Sequence, residues 1–154
     1  MKIAPNTPLV VSLAWDAATQ PRVGRLAMAG RKVVFEYDAA FLRAGVEISP
    51  FALKCLPGVI GVGTPYEGDL PGVFNDSLPD GWGRLLVERR AAALRVSLTP
   101  LDRLAIVGDS GIGALAYAPA IALGIADGPI DLDALARDSR AVLEGAAADV
   151  LEAL

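Results

Sequence analysis

Four acidic residues stand close enough in the chain to suggest chemistry: Asp76, Asp80, Asp102 and Asp109. Clustered carboxylates would suit a magnesium ion, which takes hard oxygen ligands. Their neighbours argue otherwise. Asp76 and Asp80 bracket a turn-forming run, and Asp102 stands at a helix start, where an acid is favourable against the helix dipole. The hydroxyls Ser77, Thr99 and Ser110 have no base beside them to make a nucleophile. The chain has no histidine and one cysteine, Cys55. Ser-His-Asp catalysis, Cys-His catalysis, His-containing zinc sites and thiolate metal sites are therefore excluded within this sequence.

Two glycine runs, Gly58-Val-Ile-Gly-Val-Gly and Gly108-Asp-Ser-Gly-Ile-Gly, have the look of phosphate loops. A phosphate loop places backbone N–H groups at a helix start and is usually followed by Lys and a hydroxyl residue. Neither run is followed by Gly-Lys-Ser/Thr, and the second leads into a strand pattern. Tight turns at strand entries account for both.

What remains as the focal stretch is Val73 to Arg84, Val-Phe-Asn-Asp-Ser-Leu-Pro-Asp-Gly-Trp-Gly-Arg. It opens the longest helical pattern, predicted to start at Pro79 and run to about Val96. Pro costs little in a first turn. The inward stripe predicted for this helix is Trp82, Leu85, Leu86, Ala93 and Leu94, with Arg84 outward and in reach of Glu88. Trp82 has two readings, a core plug or an anchor presented to a partner, a role Trp favours.

The elements that position this stretch read as follows. Leu9, Val11, Leu13 and Trp15 share one parity and predict a strand with one buried face. Arg22 to Met28 and Lys32 to Tyr37 complete an antiparallel meander, with Val33, Phe35 and Tyr37 on one face. Asp38 caps a short helix, Ala39 to Ala44, closed by Gly45. Ile48 to Leu53 reads as extended around Pro50, and the segment from Cys55 to Pro71 as a loop with one short strand. Thr99-Pro-Leu-Asp starts a helix ending at Gly108. Ala114 to Ala118 is a strand stopped by Pro119. Helical patterns follow from Leu132 to Glu144 and from Ala146 to Leu154. The last one stops in mid-pattern, with Val150, Leu151 and Leu154 on one side, which predicts an apolar surface that self-associates.

The 154 residues suffice for one domain with a sizeable core. The composition is 53% hydrophobic with a mean hydropathy of +0.45, much of it Ala and Gly. The longest uncharged stretch, Ser110 to Ala126, is interrupted by Pro and Gly and is not read as spanning a membrane. No apolar leader follows Met1. A net charge of −4 without a basic face argues against nonspecific binding to nucleic acid or anionic membranes. The lone cysteine fits a cytoplasmic setting.

Three segments together resemble the N-terminal domain of HipA-family proteins. They are Phe35-Glu-Tyr-Asp, then Phe74 to Arg84, then Asp102-Arg-Leu-Ala-Ile-Val-Gly-Asp-Ser-Gly-Ile-Gly-Ala-Leu. The likeness spans roughly Leu9 to Pro119 in order and spacing. It implies a regulatory and docking domain, residues 1–125, of a toxin Ser/Thr protein kinase from a type II toxin–antitoxin system. Residues 126–154 would then be a helical segment leading toward a kinase core that this sequence does not contain. No position matches the family's phosphate loop, catalytic Asp or metal-binding Asp, so no catalytic, cofactor or metal residue is assigned. ATP and magnesium would belong to the parent kinase. Implied partners are the kinase core, in the same or a separate chain, the antitoxin (a DNA-binding repressor) and other protomers. The alternative is a complete small protein that restrains a separate kinase chain. The candidate interface is Phe74, Asp80, Trp82, Arg84, Val150, Leu151 and Leu154. The expected fold is α+β: a small twisted antiparallel sheet or partly closed barrel, packed helices and a C-terminal helical appendage.

Overall fold

The computed structural model describes residues 7–15, 19–30, 32–61 and 70–122. The chain divides into two compact units, Met1–Leu123 and Gly124–Leu154, and every described residue falls in the first. The two helical patterns after Leu132 lie outside the described residues.

The expected meander forms. Strands β1 (Leu9–Leu13), β2 (Arg22–Ala29) and β3 (Lys32–Tyr37) pair in sequence, all antiparallel. Strand β4 (Val59–Gly61) joins the outer edge of β3, and β5 (Leu115–Ala118) returns to the free edge of β1. The result is an open sheet in the order β4-β3-β2-β1-β5, and the fold is α+β. The barrel alternative is set aside by the separate edges β4 and β5.

Alternation decides which face is covered. Leu9, Val11 and Leu13 from β1 and Val33, Phe35 and Tyr37 from β3 are all buried, as a period of two requires. On β2 the matching positions are Gly24, opposite Tyr37, and Leu26, opposite Phe35. Gly24 is there for space, because a Cβ would sit 2.7 Å from Phe35 Cζ. The Phe35 ring lies over the bare backbone and packs edge-on against Tyr37 at 4.7 Å and tilted against Phe74 at 5.1 Å. Full burial of one such ring stabilises by about 1.5–3 kcal/mol. On the opposite, solvated face Arg25 pairs with Glu36 across β2 and β3 at 2.6 Å. Exposed pairs of this kind contribute at most about 1 kcal/mol.

The local helix signals also hold. Asp38 accepts from the Ala40 N–H and caps α1 (Ala39–Ala44), and Gly45 closes it in the left-handed conformation. Thr99 and Asp102 form a reciprocal capping box at the head of α4 (Pro100–Val107). Helix α4 supplies Leu101, Leu104, Ala105 and Val107 to the core.

Four expectations need correction. Ile48 to Leu53 is a turn, not an extended segment: the Leu53 N–H returns to the Ser49 carbonyl at 2.9 Å, and the Tyr37 hydroxyl donates to the Leu53 carbonyl at 2.7 Å. The focal stretch holds two helices, α2 (Gly72–Asn75) and α3 (Gly81–Ala93), separated by a break at Asp76–Asp80. Pro79 therefore stands outside α3, before its cap. The stripe predicted for α3 does not face the core either. Its buried residue is Ala91, while Trp82, Leu85 and Leu94 are each more than a third exposed. Finally, Trp15 does not continue the buried face of β1 and is 70% exposed. The pairing runs out there, with Ala14 making a last backbone bond to Ala114 at 2.7 Å.

Candidate interface

The focal stretch is a folded hinge between α2 and α3, and each residue in it has a local reason. Phe74 is fully buried against Phe35, so its side chain belongs to the core and not to an outward surface. Asp76 ends α2 through its backbone N–H, bonded to the Gly72 carbonyl at 2.8 Å. Ser77 is buried and accepts a 2.7 Å hydrogen bond from the Tyr117 hydroxyl. Asp80 caps α3 by accepting from the Gly83 N–H at 3.0 Å. Gly83 packs on Pro79 so closely that a Cβ would come within 2.6 Å of the proline Cβ. Trp82, in the first turn of α3, is 39% exposed, which makes it a partly covered surface residue and not a core plug.

The second glycine run is bound to the first stretch. The Gly108 carbonyl accepts from the Tyr117 N–H at 2.9 Å. Gly108 itself has φ 57, a left-handed conformation that glycine adopts at no steric cost. A Cβ on Gly111 would meet Val107 Cγ1 at 2.6 Å and the Ser77 carbonyl oxygen at 3.5 Å. The glycines of this run thus serve close packing and turn geometry. They do not build a phosphate loop, since β5 and not a helix follows.

Where these two stretches meet the end of β1, an apolar groove of about 310 Å³ opens. Its buried lining residues are Leu13, Leu115 and Ser77. Trp15, 70% exposed, Val46 and Ile112, 91% exposed, also line it. A second hollow of about 410 Å³ continues past Trp15 and Val46 toward Phe41 and Ala44. Among the described residues the charged ones lining the first groove are Glu47 and Asp76, and no Lys or Arg lines it. In the second hollow Arg22 and Asp38 face each other at 3.8 Å.

Arg84 lies elsewhere, in a more polar cleft of about 370 Å³ between the α2–α3 break and α4. There Arg103 of α4 donates to Glu88 of α3 at 2.8 Å, which ties the two helices together. Val150, Leu151 and Leu154 lie outside the described residues.

The acids weighed for a metal are dispersed by their structural duties. Asp80 caps α3, Asp102 is buried in the capping box, and Asp109 accepts from the Ser110 hydroxyl at 3.4 Å. Among the described residues no three His, Cys, Asp or Glu side chains converge on one point. Two tyrosines are shifted. Burial pushes Tyr117 up to about 12, with the bond to Ser77 pulling the other way. Burial also raises Tyr37, and the nearby Cys55 and Glu47 reinforce the shift.

Sequence reasoning missed Trp15, Val46 and Ile112 as surface residues. A signal was present for one of them: Ile112 stands between two glycines in a turn, where nothing local can cover it.

The fold and the groove define an α+β sheet domain with an open apolar surface lined by the α2–α3 stretch, the turn before β5 and the end of β1. The family model for the HipA N-terminal domain matches residues 17–118, more than half of the sequence, and the chain belongs to that family. No curated protein and no solved structure matches the chain. Among the described residues no helix is long and apolar enough to cross a membrane.

Proposed function

We propose that this chain is the regulatory and docking domain of a HipA-like Ser/Thr protein kinase and has no catalytic activity of its own. Family membership supplies the context, and the groove carries the docking reading. Trp15 and Ile112 leave large apolar side chains in water beside the groove. Contiguous exposed apolar surface of this kind marks interaction sites. ATP and magnesium would be held by the kinase core. The toxin role, the antitoxin contact and the cytoplasmic setting belong to the same proposal. So does self-association through the apolar Val150, Leu151 and Leu154 of the sequence, which light scattering at high concentration would report.

The test is a titration of the full chain with a purified HipA-family kinase core, read by calorimetry and by phosphorylation of the kinase's substrate. Saturable one-to-one binding that alters kinase activity is the expected result. Absence of binding at high micromolar concentration would overturn the docking role.

A further inference from the structure

We infer that the groove between Trp15, Val46 and Ile112 binds a protein segment that carries a large aliphatic side chain flanked by Lys or Arg. This names the chemistry of the contact required by the docking role above, and it rests on that reading. The aliphatic part follows from the lining. Leu13, Leu115 and Val73 give it an apolar lining, and at about 310 Å³ the space accepts a branched side chain more readily than a flat surface would. The basic part follows from the rim. Glu47 and Asp76 both line the groove, and among the described residues no cation lines it and no ion pair engages either carboxylate. An apolar segment with flanking acids would bring like charges together, whereas flanking cations would be steered in and held. The same carboxylates disfavour an anionic lipid surface.

Both acids are exposed. Asp76 ends α2 through its backbone N–H, which bonds to the Gly72 carbonyl, and a cation at a helix C-terminus is favourable. Glu47 is exposed in the segment after α1. Ile112 is almost fully exposed, so a change there costs little stability. These residues can therefore be altered without confusing binding with unfolding.

The probe is a pair of synthetic amphipathic peptides with the same Leu positions, one with Lys and one with Glu at the flanking positions. The sequence has two tryptophans, so in a Trp82→Phe background the fluorescence of Trp15 reports the groove directly. The Lys peptide is expected to shift Trp15 emission to the blue and to bind about tenfold or more tightly than the Glu peptide at low salt. Ile112→Asp should remove the shift. The double variant Glu47→Lys/Asp76→Lys should invert the preference. Phe51→Ser, at a 96% exposed site that does not line the groove, should change nothing. Equal binding of both peptides, no binding of either, or Lys-peptide binding insensitive to Ile112→Asp would overturn the inference. The same variants separate it from the docking role. A kinase core that binds wild type and Ile112→Asp equally sinks the groove but keeps docking. Selective Lys-peptide binding with no kinase binding sinks docking but keeps the groove.

Discussion

The two glycines that flank Trp82 occupy the same helical turn, yet they should respond in opposite ways to one added methyl group. Gly81 and Gly83 both lie within α3. Replacing glycine by alanine in a helix normally stabilises by about 0.5–1 kcal/mol, because the unfolded chain loses freedom. At Gly81 a Cβ meets nothing within 4 Å, so Gly81→Ala should gain part of that amount. At Gly83 the Cβ would lie 2.6 Å from Pro79 Cβ. A proline ring cannot rotate away as a flexible side chain would. Relief requires the backbone to move, and the Asp80 cap on the Gly83 N–H moves with it. Overpacking costs about 1–3 kcal/mol and a lost cap about 1 kcal/mol. Even after the helix gain, Gly83→Ala should destabilise by about 1–2 kcal/mol. The gap between the variants is then about 2 kcal/mol, some 4–8 °C in Tm for a chain of this size. Urea denaturation of both variants with wild type measures it. If Gly83→Ala proves as stable as Gly81→Ala, the close Pro79–Gly83 packing is not what shapes this turn.

Three further outcomes follow from the same contacts. Ser77→Ala and Tyr117→Phe should each destabilise by about 1–2 kcal/mol, while the double variant should cost less than their sum, with a coupling near 1 kcal/mol in a double-mutant cycle; strict additivity would mean that the 2.7 Å bond contributes nothing. Stability should fall as pH rises from about 10 to about 12, because the unfolded chain loses the Tyr117 proton near the ordinary tyrosine value of about 10 while the folded chain keeps it up to about 12; Tyr117→Phe should reduce that slope and leave the part that Tyr37 contributes, and an unchanged slope would refute the assignment. Calorimetric titration with ATP and magnesium should show no heat of binding to this chain, and micromolar affinity would contradict the reading of both glycine runs as turns.

The parts legible in the sequence are those fixed by neighbours. Val33, Phe35 and Tyr37 alternate within one strand, Asp38 and Gly45 bound one short helix, and Thr99 with Asp102 closes its own box. Each is settled within a few residues, so the pattern of letters suffices. The errors are all long-range. Trp15 continues the parity of β1 in letters, but the sheet stops pairing before it. Leu85 and Trp82 of α3 belong to a helical stripe yet are each more than a third exposed, which no local pattern reveals. The α2–α3 break reads as a single helix start until Phe74 is seen turning into the core against Phe35. Ser77 and Tyr117 are 40 residues apart, and their bond is what brings the two turns together at the groove. The family likeness reached the right stretches without showing which of their side chains face outward.

Docking through the groove is tested most directly by the affinity of a HipA-family kinase core for the full chain and for its Ile112→Asp variant, measured side by side by calorimetry. Docking through the groove predicts tight binding to the wild type and at least about a tenfold loss in the variant, with Tm unchanged. Equal affinity for the two proteins would contradict it.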